Sequence, residues 1–296
     1  MSEGIDPGGV ALVHATGEQQ AQCSAMNKRT DASGGLHIRV QCYDADKKLV
    51  EAPFNVMYTN GQGGGEGKLS TLRVRGSDGK VLQQTGPVWN PTTASVSHEG
   101  PGFYRVEMEL LSTEPYEDSI QVSSESGENC NIVSTNISAT EYNSKEINVQ
   151  CESKSGSVDS DFSLAYSNGV NVLGSKNEMS DAHAVYRNGH VPPVQQQRDR
   201  IYGDASGVVT VASTGTGHYS VTLQHQAVGL TGRGASLVNS VGFASAGDQG
   251  DCRQVGQRVQ SNGNPGLADV VLDVICTNRL NQYVNSDFAL QFVAAQ

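Results

Sequence analysis

Three times along this chain, a strand-like stretch that ends in cysteine is followed eleven or twelve residues later by a phenylalanine opening another such stretch. The cysteine strands are Ile38-Arg-Val40-Gln-Cys42, Ile147-Asn-Val149-Gln-Cys151 and Leu272-Asp-Val274-Ile-Cys276. Their followers are Phe54-Asn-Val56-Met-Tyr58, Phe162-Ser-Leu164-Ala-Tyr166 and Phe288-Ala-Leu290-Gln-Phe292, each with a valine four residues before the phenylalanine (Val50, Val158, Val284). Upstream of each cysteine pair lies a further apolar stretch: Val10-Ala-Leu12-Val13, Ile120-Gln-Val122 and Val241-Gly-Phe243. Self-similarity of this kind, with length changes confined to turns, marks a repeated supersecondary unit. We term it block A; it spans about 50 residues and reads as four strands.

Two further stretches between the A blocks also match each other. Ala94-Ser-Val96-Ser-His-Glu-Gly100-Pro-Gly102-Phe103-Tyr104-Arg-Val106-Glu-Met108 aligns with Val209-Thr-Val211-Ala-Ser-Thr-Gly215-Thr-Gly217-His218-Tyr219-Ser-Val221-Thr-Leu223. Two alternating runs joined by Gly-x-Gly read as a β-hairpin. Earlier in each B block come Leu72-Arg-Val74 and Ala184-Val185-Tyr186, each followed by a Gln-rich strand. The order is A-B-A-B-A, with units over 1–60, 61–116, 117–168, 169–235 and 236–296. Apolar and polar residues alternate along the strands, as antiparallel sheets with one buried face require, and helical periodicity is not visible. The expected fold is therefore all-β, built from about five four-stranded antiparallel units. A β-propeller-like ring accommodates the odd block and is the favoured arrangement; tandem β-sandwiches are the alternative.

The six cysteines fall into successive pairs, and each first member follows a glycine-containing turn. Antiparallel neighbours would bring Cys23 to Cys42, Cys130 to Cys151 and Cys252 to Cys276. None of these spacings is the two-to-four-residue knuckle of a zinc site. Three bridges imply an oxidising destination. Met1 opens a segment with neither a basic region nor an apolar stretch of signal-peptide type, so the expectation is a secreted or cell-surface protein whose signal peptide has been removed.

The cycle Cys … Val-x-Cys … Phe-x-Leu-x-Tyr … Gly-x-Gly-x-Tyr-x-Val resembles a tandem repeat of secreted bacterial proteins with no established activity, over nearly the whole chain from Val10 to Phe292. That family tends to carry an aromatic–Asn step before the Gly-x-Gly hairpin, matched by Trp89-Asn90 and replaced by Tyr202-Gly203 in the second copy. The resemblance implies secretion and a β fold and supplies no chemistry.

The net charge of −11 removes general polyanion binding, because nucleic acid requires a basic face. No apolar run approaches the ~20 residues of a membrane-spanning helix. Catalytic constellations are equally thin. There is no Gly-x-Ser-x-Gly elbow. Asp44 with Asp46, and Asp159 with Asp161, alternate like paired carboxylates or a calcium turn, but they sit in turns where acids cap the backbone. His183 and His190 lack an acidic or cysteine partner for a metal site. Glycine-rich Asn60–Gly67 lacks the Lys-Ser/Thr of a phosphate loop. No cofactor is expected.

The aromatic tips of the B blocks carry the binding expectation: Trp89 and Asn90, with Tyr202 and Asp204 in the second copy. An aromatic face beside an amide or carboxylate suits a sugar ring, although Trp89 could equally fill a gap between sheets. The expected function is non-enzymatic recognition of carbohydrate or another extracellular ligand, as in a lectin or adhesin. A structural subunit of a surface layer, fibre or appendage is the alternative, and a secreted hydrolase a distant third. The intact mass should rise by about six protons on full reduction if all six cysteines are bridged; an unchanged mass would remove the disulfide framework.

Overall fold

The computed structural model describes residues 8–60, 69–86, 94–109, 118–137, 144–168, 179–186, 196–200, 209–228, 234–240, 250–263, 267–278 and 280–295. The alternating pattern is realised as strands, with no helix among these residues. Consequently none is long and apolar enough to cross a membrane as a helix. The first A block contributes β1 (Val10–Ala15), β2 (Gln22–Thr30), β3 (Leu36–Tyr43) and β4 (Phe54–Thr59). The first B block contributes β5 (Leu69–Val74), β6 (Val81–Thr85), β7 (Ser95–Gly100) and β8 (Phe103–Glu109). The second A block holds β9 (Asp118–Ser124), β10 (Asn129–Ile137), β11 (Ser144–Ser153), the short β12 (Gly156–Ser157) and β13 (Phe162–Asn168). The second B block provides β14 (Met179–Tyr186), β15 (Gln196–Arg200), β16 (Val209–Gly215) and β17 (His218–Val228). The third A block closes the chain with β18 (Gly234–Ser240), β19 (Asp251–Ser261), β20 (Leu267–Thr277) and β21 (Phe288–Ala295).

All pairings are antiparallel, and the larger sheets mix strands of two successive blocks. One pair of sheets runs β6-β5-β13-β9 and β10-β11-β8-β7, with β12 returning onto the end of β11. A second pair runs β15-β14-β21-β18 and β16-β17-β20-β19. Among the described residues the first A block forms the two-stranded sheets β1-β4 and β2-β3. A block is therefore not a blade, and the described residues form no closed ring. The propeller expectation fails because an A block has an open edge and an open apolar face, and both are satisfied by strands of the B block preceding it. In the third A block, Gly234–Ser240 pairs in register with Phe288; the stretch Val241-Gly-Phe243, expected as its upstream strand, lies outside the described residues.

Each cysteine stands directly opposite its partner, and the three disulfides are 23–42, 130–151 and 252–276. Each hairpin then carries a bulge three residues after the first cysteine, at Met26, Val133 and Val255. A bulge adds twist and turns the distal part of the hairpin. The valines noted before each phenylalanine return to the cysteine strand: Val50, Val158 and Val284 donate their N–H groups to the carbonyls of Cys42, Cys151 and Cys276.

The Gly-x-Gly-x-Tyr motif fastens a B hairpin onto the following A block. Gly102 has φ +72° and Gly217 φ +68°, in the left-handed region that favours glycine. Both lie against backbone: a Cβ on Gly102 would stand 2.4 Å from the Cys151 carbonyl oxygen, and one on Gly217 2.6 Å from that of Cys276. The approach lets Cys151 N–H donate to Gly102 O, and Cys276 N–H to Gly217 O, each at 2.8 Å. Two residues on, the Tyr104 hydroxyl accepts the Ser160 N–H at 3.1 Å, while that of Tyr219 accepts the Ser286 N–H at 3.0 Å. Their rings pack on Phe162 and Phe288 with centroids 5.0 and 5.1 Å apart.

Between the first two large sheets lies a core of Leu72, Val74, Val106, Ile147, Val149 and Leu164 with the tyrosine–phenylalanine pair. The equivalent core holds Val221, Leu223, Leu272, Val274, Leu290 and Phe292. Each large apolar side chain so enclosed contributes about 1.5–3 kcal/mol. Gly102→Ala and Gly217→Ala should each lower stability by about 2–4 kcal/mol in urea unfolding, since strain and a backbone clash combine. Gly34→Ala, at φ +84° with nothing within 4 Å of the new methyl, should cost only about 1 kcal/mol. Equal losses at all three would show that the close approach does not matter.

Candidate functional site, a polar junction of the three A blocks

The outward faces of the A-block sheets cannot remain in water, because alternation puts apolar residues there too. Val10, Leu12 and Met57 from the first block meet Ala165 from the second and Leu237 and Val293 from the third in one buried cluster. The contacts are cyclic. β1 packs on β9 and β13, β9 on β18 and β21, and β18 on β1 and β4. Counting back equally from Phe54, Phe162 and Phe288 places Leu12, Gln121 and Leu237 at matching register positions, and His14, Ser123 and Asn239 at the next set. Gln121 is fully buried there, and neither of its amide atoms has a hydrogen-bond partner among the described residues.

His14 joins the other two blocks at one point. Its Nδ1 lies 2.8 Å from the Val238 carbonyl oxygen and its Nε2 3.0 Å from that of Val122. A neutral imidazole donates from one nitrogen only, so both bonds form fully only when the ring is protonated. Ser123 ties β9 to β1 as well: its hydroxyl accepts the Val13 N–H at 3.1 Å and donates to Val13 O at 3.0 Å. Asn55 donates to Ser236 O at 2.8 Å, and Gly17 N–H to Gln254 O at 2.9 Å.

The residues preceding the first cysteine of each pair, Gln22, Asn129 and Asp251, close this junction from above. Gln22 Nε2 donates to Asp251 Oδ2 at 2.8 Å, and Asn129 also hydrogen-bonds that carboxylate. Arg253 Nη1 lies 3.9 Å from it, and the Arg253 Nε is buried without a partner among the described residues. A small inner cavity of about 40 Å³ sits beneath them, with His14, Ser123 and Gln254 in its wall. Above them opens a cleft of about 100 Å³, rimmed by the turns that follow the three cysteine strands. Asp44, Lys47, Lys154, Asn278 and Asn281 face it. Lys47 and Asn281 adopt positive φ in corresponding turns, at 63° and 66°. Asp44 and Asn278 shape those turns by accepting two backbone N–H groups each. Lys154 reaches across to Asp46 at 2.8 Å; that hydrogen bond holds the Asp46 carboxyl below its ordinary range and raises the Lys154 amine. Lys47 bridges in the other direction, to Gly127 O and the Glu128 carboxylate.

The four residues expected to bind ligand, Trp89, Asn90, Tyr202 and Asp204, lie outside the described residues, as does His190. The carboxylate pairs are placed. Asp159 Oδ1 accepts the Gly102 N–H at 2.8 Å and the His98 Nε2 contact at 2.9 Å, and these bonds, the Gly102 one foremost, lower its titration. Asp161 accepts the Gly76 N–H at 2.8 Å. Each carboxylate thus locks a turn to a neighbouring strand. Among the described residues no group of three or more His, Cys, Asp and Glu side chains is placed to share a metal. His218 is half-buried beside Tyr283, ring centroids 4.3 Å apart. His14 was not singled out by motif. The available signal was its phase, which puts it with Val10 and Leu12 on the face opposite Ala11 and Val13. Comparison with protein-family models, curated proteins and solved structures finds no match to this chain.

Burial moves the two titrating groups at the junction in opposite senses. It lowers His14 below its ordinary 6.5, against the pull of two carbonyl bonds and the nearby Asp251. It raises Asp251, against the effect of Arg253 and the bonds from Gln22 and Asn129. For His14 the unfolded chain binds the proton first, so stability is lost as pH falls through 6.5. For Asp251 the native state binds the proton more tightly, so stability is gained as pH falls through its folded value towards the unfolded ~3.9. Between about pH 7.5 and 5.5 the histidine governs. His14→Gln should therefore flatten the decline of Tm across that window, followed by circular dichroism; a decline parallel to the parent's would locate the titration elsewhere.

Proposed function

We propose that this chain is a secreted, non-enzymatic recognition protein, a tandem array of repeated β-sandwiches that presents its turns to a carbohydrate or other polyhydroxylated extracellular ligand. The observation that carries this reading is the cleft where turns of three A blocks meet. Amides, carboxylates and ammonium groups from three separate parts of the chain converge there, held by cross-block hydrogen bonds. Groups fixed before a ligand arrives need little ordering on binding, which favours affinity for a polar molecule that offers many weak hydrogen bonds. A volume of about 100 Å³ admits part of one sugar ring and leaves the rest of a glycan in solvent. Three disulfides fit an oxidising extracellular setting.

A second reading, a structural subunit of a surface layer, fibre or appendage, is favoured by one observation: apolar residues of the first A block, Phe54 and Val56 among them, stand exposed. A glycan array followed by calorimetry separates the readings. A binding glycan should lose about tenfold or more in affinity with Lys154→Ala or Gln20→Ala, both side chains at the cleft. The cleft assignment is lost if the glycan binds both variants as well as the parent and instead quenches Trp89 fluorescence. The recognition reading is lost if no glycan binds.

A further inference from the structure

The residue after the first cysteine of each pair is buried in all three A blocks: Ser24, Asn131 and Arg253 are 0%, 6% and 6% exposed. In the first block a small hydroxyl fills the position, accepting the Gly127 N–H at 3.0 Å. The repeated scaffold therefore does not demand a cation there, yet the third block carries a guanidinium, which does not lose its proton in a protein. The acid beside it is a departure as well: Asp251 stands where the other blocks have the neutral amides of Gln22 and Asn129. The two departures do not cancel in a closed ion pair. Arg253 Nη1 is 3.9 Å from the Asp251 carboxylate, beyond hydrogen-bond reach. Asp251 is instead held by Gln22 and Asn129, and burial disfavours its charged form. The Arg253 Nε is buried and has no hydrogen-bond partner among the described residues. A buried charge costs stability unless it is paired and hydrogen-bonded, so this guanidinium keeps an unmet demand for an anion.

Its place decides what meets that demand. Gln22, Asn129, Asp251 and Arg253 line both the inner cavity of about 40 Å³ and the cleft of about 100 Å³, and so form the partition between the two. A ligand entering the cleft therefore meets Arg253 at its floor. The other charged groups of the cleft are engaged. Lys47 holds Gly127 O and Glu128, and Lys154 holds Asp46. Asp44 accepts backbone N–H groups of its own turn, and Glu152 accepts the Gln150 amide at 2.6 Å.

We infer that Arg253 is the carboxylate-binding group of the cleft and that the ligand is an acidic sugar, a uronate or a sialate. The inference rests on the recognition reading above and narrows its ligand class. A planar carboxylate matches the edge of the guanidinium fork formed by Nε and Nη2, taking two parallel N–H···O bonds, while Nη1 stays towards Asp251. Asp251 beside the site and a net charge of −11 favour a single negative charge over a doubly charged phosphate. Gln20 and Asn281 line the wall above, within the same cleft, for the hydroxyls of the ring. A neutral sugar leaves the guanidinium unpaired and forgoes the strongest bond the cleft offers.

Calorimetry of the full chain with 3′-sialyllactose and with trigalacturonate, each as the free acid and as its methyl ester, tests the assignment. At least one free acid should bind saturably, and its ester about tenfold or more weakly, because esterification removes the charge and leaves the ring unchanged. The acid that binds identifies the source of the carboxylate. Arg253→Gln should bring the acid down to the affinity of its ester, and Arg253→Lys should restore only part of the difference, because an ammonium makes no parallel pair. The preference of the parent chain for acid over ester needs no variant, so it decides the matter even where near-ultraviolet circular dichroism shows that Arg253→Gln does not fold. Equal binding of acid and ester, or binding of a neutral glycan and of neither acid, would overturn the inference and leave the recognition reading standing. A preference for the acid that persists in folded Arg253→Gln would remove Arg253 from the site. No binding by any glycan would remove the inference and the recognition reading together.

Discussion

An A block of this chain cannot bury its own inner face. Its sheets offer Phe-x-Leu-x-Tyr on one strand and Ile-x-Val-x-Cys on another, too much apolar surface for the small side chains of β1 and β2 to cover. Closure has to come from a second block, and the chain provides it from the sequence immediately before. This one requirement explains why the sheets cross block boundaries and why a tyrosine hydroxyl reaches under the following block's loop to take a backbone N–H. It also explains why glycine, with no Cβ, lies against the cysteine carbonyl. In the first block the corresponding residues, Phe54 and Val56, are exposed.

The second organising constraint lies on the opposite sheet face. Strands β1 and β18 carry apolar residues on both sides, and β9 carries buried Gln121 and Ser123 opposite Ile120 and Val122, so all three are covered twice. Their outer sides cover one another, which brings three equivalent hairpin ends into a single place. Such a junction would be expected to be dry, yet it contains His14, Gln121, Gln254 and Asp251. Polar groups in such a place cost stability unless they are bonded, and most are bonded across blocks, not within them. The junction is therefore specific: sliding one block against another would break many of these bonds at once, whereas purely apolar faces would tolerate it.

Much of this was legible in the residues. The cysteine pairing followed from strand spacing, because cysteines directly opposite one another in an antiparallel hairpin are close enough to bond. The Gly-x-Gly-x-Tyr hairpin and the strand class followed from alternation. What alternation could not convey was which sheets pair across blocks. A free edge and a paired edge have the same side-chain pattern, so an isolated blade and half of a two-layer unit look alike in sequence. Strand Gly234–Ser240 is hard to see for a related reason: it is a short run of small residues beside the more apolar Val241-Gly-Phe243. The cleft was not visible at all. Gln22, Asn129 and Asp251 are three different residue types more than a hundred positions apart, and only their common place before a cysteine relates them.

That common place also gives the disulfides a role beyond holding hairpins closed. Each first cysteine follows directly on the residue that faces the cleft, and each second cysteine opens directly into a turn that rims it. The bridge therefore fixes the cleft-facing residue and the rim turn relative to each other at the end of every hairpin. Further along, the bulge after Met26, Val133 or Val255 lets the hairpin twist away without disturbing that end. Without the bridges, the large cores would still be held by their tyrosine–phenylalanine contacts and paired strands. The cleft has no comparable reserve, since its groups are joined chiefly by single hydrogen bonds between blocks. The cysteines are thus placed where covalent restraint is worth most, at a region that apolar packing does not secure.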